Sequence, residues 1–160
     1  IKKNSNLLDV GSTPGGWSQV ASKIITNGKI LAVDITPMKK IDNVLFLNSD
    51  FSDEKIQDKI IKNFNNKIDV IVSDMAENTT GNKTVDSIRT NSLCTDVIHF
   101  SIKALTKKGT LVCKLFMGED FLEVKNLAKK NFRNVDFFKP ESSRKESKET
   151  YIVCSVLKTL

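Results

Sequence analysis

Apolar runs of strand length recur along the whole chain, and several are interrupted or closed by a polar residue that a core would not choose. They are Leu7-Leu8-Asp9-Val10, Lys29 to Asp34, Val44 to Leu47, Ile68 to Ser73 and Thr110 to Phe116. Between most of them apolar residues return every three or four positions, the spacing that gives a helix one buried stripe. Trp17, Val20, Ala21, Ile24 and Ile25 mark the first helix, with Gly28 as its stop. Asp53 heads a second that carries Ile56, Ile60, Ile61 and Phe64. Leu93, Cys94, Val97, Ile98, Ile102 and Leu105 mark a third ending near Gly109, and Glu119 to Asn131 form a fourth with acidic residues in its first turn. Such repetition predicts an α/β fold, a doubly wound and mostly parallel sheet with helices on both faces.

The last two runs, Val135 to Phe138 and Thr150 to Leu157, are joined by KPESSRKESKE with no helix. Parallel strands need a crossover, so this pair is expected as an antiparallel hairpin. The sheet then has seven strands, with an antiparallel strand at its C-terminal end. No repeat or linker divides the chain, and 160 residues suit a single domain spanning 1–160. The chain opens on Ile1 rather than Met, as a piece of something longer would.

Composition works by exclusion. No apolar run approaches the ~18–20 residues of a membrane span, so no membrane partner is expected. Cys94, Cys113 and Cys154 are odd in number and far apart, which suits neither a disulfide framework nor a metal knuckle and favours a reducing compartment. One histidine, His99, leaves no material for a His-based metal site or a Ser-His-Asp triad, and no metal is expected. Lys and Arg outnumber Asp and Glu by 25 to 19, a net charge of +6. That excess suits a nucleic-acid partner, and also suits an enzyme that merely happens to be basic.

The residues at the strand ends carry the functional argument. Asp9-Val10-Gly11-Ser12-Thr13-Pro14-Gly15-Gly16-Trp17 occupies the first strand-to-helix turn, where open α/β sheets bind ligands. It lacks the G-x-G-x-x-G spacing of a dinucleotide site, which disfavours a nicotinamide-dependent oxidoreductase. An acidic residue two positions before the first glycine suits S-adenosylmethionine, whose ammonium group seeks an anion. Asp34, followed by Ile35, ends the second strand, where a carboxylate can accept both ribose hydroxyls of an adenosine. Asp50 and Phe51 follow the third, a carboxylate for the adenine amino group beside a ring to pack on it. Each of these also has a plain structural reading as a tight turn or a solvated turn residue; their occurrence at three successive strand ends favours the cofactor. Asp74 closes the fourth strand, Lys114 lies late in the apolar fifth, and Glu149 starts the last. A lysine in such a run is expensive unless paired, and the two acids are its candidate partners.

These stretches together resemble the FtsJ-type, RrmJ-like family of ribose 2′-O-methyltransferases that act on large-subunit ribosomal RNA. The matching segments are DVGSTPGGWSQV (9–20), AVDITPM (32–38), NSDF (48–51), VSDMAENTTG (72–81), VCKLFMGEDF (112–121) and KPESSRKESKETYIV (139–153). The resemblance implies a Rossmann-like methyltransferase fold, S-adenosyl-L-methionine as cofactor and a Lys-Asp-Lys-Glu catalytic set, of which Asp74, Lys114 and Glu149 align. The set's first lysine does not align with Lys2 or Lys3. Glu77 stands where the family commonly has proline, and its charge would disfavour an RNA phosphate. The cofactor residues carried over are Asp9, Gly11, Pro14, Gly15, Gly16, Trp17, Asp34, Ile35, Asp50, Phe51 and Asp74.

The implied reaction is direct methyl transfer to a ribose hydroxyl, with a uridine as the expected target. Lys114 serves either as a neutral base or as an ammonium that steers the hydroxyl, with Asp74 orienting it and Glu149 holding the ribose. Lys39, Lys40, Arg89 (placed before the third helix), Arg144, Lys145 and Lys148 are the candidates for RNA phosphate. The expected partner is ribosomal RNA within the large subunit, the expected protein a monomer, and the expected location bacterial cytoplasm, with the mitochondrial matrix as alternative. Transfer RNA or an mRNA cap as substrate, or a catalytically silent RNA-binding assembly factor, are the competing readings.

Overall fold

The computed structural model describes residues 1–65, 67–77, 80–141 and 147–158. In chain order the elements are β1 (Leu7–Val10), α1 (Gly16–Ile24), β2 (Ile30–Asp34), β3 (Val44–Asn48), α2 (Glu54–Asn63), β4 (Ile68–Ser73), α3 (Lys83–Ala104), β5 (Leu105–Phe116), α4 (Phe121–Asn131), β6 (Phe132–Phe138) and β7 (Glu149–Leu157). They build one seven-stranded sheet in the order β3-β2-β1-β4-β5-β7-β6. Strands β3 to β5 of that order pair in parallel, and β7 runs antiparallel to both β5 and β6. The strand order reverses between β1 and β4, which opens a crevice beyond their carboxyl ends.

Helices cover both faces, unequally. Ile60 of α2, Cys94, Val97 and Ile98 of α3, and Val124 and Ala128 of α4 join Leu8, Val10, Leu31, Ile71 and Leu111 in the larger core. On the opposite face Ala21 of α1, with the adjacent Ile25, packs on Leu7, Ile30 and Val72. Alternation along β5 sends Leu111, Cys113 and Leu115 into the larger core, and leaves Val112 and Lys114 on the α1 side. All three cysteines are free and buried, and burial helps push the Cys154 thiol up to about 12. His99 is exposed on α3.

Three sequence expectations change. First, α3 begins at Lys83, so Arg89 lies inside that helix rather than before it. Asn82 caps it by accepting from the backbone N–H groups of Thr84 and Val85. Its first half buries Asp86, Ser87, Thr90 and Asn91, so no apolar stripe announces it. Second, α3 stops at Ala104 and Gly109 belongs to β5, while α1 stops at Ile24, well before Gly28. A side chain at Gly109 would lie 2.8 Å from Leu105 Cδ2 and 2.9 Å from the Thr106 carbonyl, so the close fold-back of the strand requires glycine, not a helix end. Third, β2 and β3 pair in parallel although no helix joins them. Residues 35–43 make that crossover as irregular chain, with Asn43 at φ 64. The β6–β7 hairpin holds as expected, but the absence of a helix was not by itself a sufficient reason for it.

Candidate active site

The turn after β1 is drawn against two neighbouring strand ends. Gly11 sits at φ 71, its N–H donating to the Val33 carbonyl at 2.9 Å, and a side chain there would collide with Met75 beyond β4. Asp34 ties the turn to β2: Oδ2 accepts from Thr13 N–H at 2.9 Å and Oδ1 from Thr36 N–H at 2.7 Å. Gly15, left-handed at φ 111, is the N-cap of α1.

A cavity of about 530 Å³ opens beyond these strand ends. Gly11, Asp34, Ile35, Asp50, Phe51 and Asp74 line it; Asp9, Pro14, Gly15, Gly16 and Trp17 lie outside its wall. Among the described residues, Asp34, Asp50, Asp74, Glu77 and Asp96 put five carboxylates on the lining, with no lysine or arginine beside them. Such a wall repels phosphate and attracts cations. Asp50 already accepts from the N–H and hydroxyl of Ser52, and those bonds hold its carboxyl below the usual range. Phe51 is buried and packs edge-on against Phe100 at 5.1 Å, so it belongs to the core as well as the wall.

Asp9 lies in β1, two residues before the lining residue Gly11. It is 1% exposed, and accepts the Ser18 hydroxyl at 2.6 Å from the first turns of α1. Burial pushes its carboxyl up to about 6; the bond from Ser18 opposes that shift, and the nearby Asp74 and Asp34 reinforce it.

Lys114 is where the tips of β4, β5 and β7 converge. Its Nζ stands 3.0 Å from Asp74 Oδ1 and 3.1 Å from Glu149 Oε1, with only 12% of the side chain exposed. Burial alone would lower the ammonium's pKa, but the two carboxylates outweigh it and hold it above the ordinary lysine value. The free protein therefore keeps Lys114 charged, and the ammonium can donate but not accept a proton. Tyr151, absent from the sequence reading, completes the group. It pairs across the ladder with Lys114, its hydroxyl donates to Asp74 Oδ1 at 2.7 Å, and its ring lies 5.7 Å from Trp17. Burial and the bond to Asp74 raise its pKa far above the phenol value, so it remains a donor. The signal was available: two residues after Glu149 on a strand, Tyr151 must share its face.

Among the proposed phosphate ligands, Lys39, Lys40, Arg89 and Lys148 are exposed. Lys39 and Lys40 follow β2, and Lys148 immediately precedes Glu149, its carbonyl accepting from Met117 N–H at 2.8 Å. Arg144 and Lys145 lie outside the described residues. Among the described residues no helix is long and apolar enough to cross a membrane, and no cluster of three or more His, Cys, Asp or Glu is disposed to hold a metal ion.

A family model described as FtsJ-like methyltransferase matches residues 1–157. The ribosomal RNA large subunit methyltransferase E of Pelagibacter ubique is 43% identical over 158 residues, covering 99% of this chain and 78% of that protein. A Plasmodium falciparum structure described as a ribosomal RNA methyltransferase superposes with a TM-score of 0.83 at 29% identity, over 98% of this chain and 88% of its own. Human methyltransferase-like protein 13, solved with SAH, shares the fold at a TM-score of 0.72 and 16% identity, over 96% of this chain and 72% of its own.

Proposed function

Since the chain belongs to the FtsJ-like methyltransferase family, we propose that it methylates a ribose 2′-hydroxyl, with a uridine as target, in large-subunit ribosomal RNA, using S-adenosylmethionine. The observation that carries this reading is the Lys114 ammonium fixed between Glu149 and Asp74, the latter on the lining of an acidic cavity. Five carboxylates and no cation among the described lining residues suit a cofactor bearing a sulfonium and an ammonium, and oppose a phosphate-bearing dinucleotide. Asp34 would take the ribose hydroxyls of the adenosine, Asp50 the adenine amino group, and Ile35 and Phe51 the ring. The SAH-bound fold neighbour and the names of the relatives support the same choice.

S-adenosylmethionine supplies a methyl group on a positively charged sulfur, already activated for displacement. The protein's contribution is placement and charge. Lys114 donates to the substrate's 2′-oxygen, leaving a lone pair free to face the methyl carbon. Asp74, itself held by Tyr151, aims the ammonium, and Glu149 holds the ribose. The hydroxyl proton released as the ribose oxygen takes the methyl group would pass to the Glu149 carboxylate and then to solvent. Lys114 therefore acts as a steering cation rather than as the base. Lys39, Lys40, Arg89 and Lys148 would contact RNA phosphate, with Arg144 and Lys145 extending the track. Glu77 on the cavity rim discourages phosphate from entering the cofactor site. The same reading makes residues 1–160 one methyltransferase domain, active as a monomer in bacterial cytoplasm.

The test is incubation with labelled S-adenosylmethionine and, separately, large ribosomal subunits, naked ribosomal RNA, transfer RNA and capped mRNA. Label in large-subunit RNA is expected. Label confined to transfer RNA or the cap would move the substrate, and tight RNA binding without transfer would indicate a silent assembly factor.

A further inference from the structure

Beyond Cys113, β5 outruns its parallel neighbour. Pairing with β4 stops at Ser73 opposite Cys113, where β4 ends, whereas β5 continues to Phe116 with β7 on its other edge. Among the described residues, the tip that carries Lys114 is thus bordered by strand on one side alone. On the side that β4 has left stands Asn91 of α3, 0% exposed. Its Oδ1 accepts from Phe116 N–H at 2.8 Å, and its Nδ2 donates to the Phe116 carbonyl at 3.0 Å and to Asp120 Oδ1 at 2.7 Å. A carboxamide offers the same donor and acceptor as a peptide group. Asn91 therefore continues the ladder at one position, in place of the strand that is missing.

We infer that Asn91 is a positioning residue: its carboxamide stands in for β4 and keeps the tip of β5 in register with β7, so that Lys114 and Glu149 meet at the substrate. What the tip does there rests on the ribose methyltransferase reading above. Phe116 is the register partner of Glu149, and the next N–H, that of Met117, donates to the Lys148 carbonyl. Both carboxylate partners of Lys114 come from elements other than β5, so a shift of this tip changes both ion-pair distances together. The residues assigned to the adenosine, Asp34, Ile35, Asp50 and Phe51, end β2 or follow β2 and β3, and Asn91 is not on the cavity lining, to which α3 contributes Leu93 and Asp96. The inference therefore predicts a loss of turnover without a loss of cofactor affinity. Asp120 carries a lesser share, because it holds only one of the three bonds and ties the turn into α4.

The experiment compares wild type, Asn91→Leu (similar in volume, without hydrogen bonds) and Asp120→Ala. It measures turnover on RNA that the wild type methylates, affinity for S-adenosylhomocysteine, and hydrogen exchange at the Phe116 amide. For Asn91→Leu, kcat should fall about 10- to 100-fold with cofactor affinity within about twofold, as expected for a misplaced reacting group. Protection of the Phe116 amide should fall about tenfold or more in the same variant, whether or not RNA is methylated. Unchanged kcat, or kcat and cofactor affinity falling together, would overturn the inference, as would retained protection. If Asn91→Leu does not fold, Asp120→Ala decides: a kcat loss of about threefold at unchanged cofactor affinity supports it, and wild-type kcat refutes it. An inactive wild type would instead count against the ribose methyltransferase reading, and the exchange measurement would still judge Asn91.

Discussion

Replacing Asp9 by asparagine should make the cofactor-free protein gain stability relative to wild type as pH rises, although it removes a charge next to the site. Asp9 is buried in the middle of β1, between β2 and β4, with its pKa raised from 3.8 to about 6. For a carboxyl raised on folding, the stability it contributes is fully present below the unfolded pKa and is lost as pH rises through the folded one. A rise of about two units corresponds to about 3 kcal/mol at neutral pH. Asparagine keeps an acceptor for the Ser18 hydroxyl and does not titrate. Any fixed penalty for its unpaired amide N–H groups applies at every pH, so the test is the slope. Urea unfolding of both proteins, followed by the fluorescence of Trp17, should show the variant gaining on wild type by about 2.5 kcal/mol between about pH 4 and pH 7.5. A difference that stays flat to within about 0.5 kcal/mol across that range would refute the assignment of a strained, buried carboxylate at this position. Cofactor affinity should fall in the same variant.

Three further outcomes are expected. Lys114→Met should abolish methyl transfer while leaving cofactor affinity within a few-fold of wild type, measured by turnover and calorimetry; normal turnover would remove Lys114 from the chemistry. Leu111→Ala, which empties a fully buried position between sheet and helices, should lower unfolding stability by about 2–5 kcal/mol in denaturant titration. RNA affinity should fall steeply with salt, and Arg89→Ala and Lys148→Ala should each reduce the logarithmic salt slope by about one if each side chain meets a phosphate.

The strands and the last hairpin were legible because burial and alternation leave a direct trace in the apolar pattern, as in Leu7–Val10 and Ile68–Ser73. The first half of α3 left none, since its buried positions are the polar Asp86, Ser87, Thr90 and Asn91, which give no apolar period. Gly109 reads as a helix stop until the fold-back against Leu105 is known. The helix-free parallel link from β2 to β3 has no local signature. In the site, Asp74, Lys114 and Glu149 stood out because charge at the end of an apolar run needs a partner. Tyr151 and Asn91 did not, because a phenol and a carboxamide are unremarkable until the register shows what they touch.

On the reading proposed for the Lys114 tip, it should present a ribose oxygen, not a nucleobase, to the methyl donor. The direct measurement is alkaline digestion of the labelled RNA, because chain cleavage requires a free 2′-hydroxyl. Label is expected in alkali-resistant dinucleotides from large-subunit ribosomal RNA; label recovered in mononucleotides carrying a methylated base would show that the acceptor is a nucleobase instead.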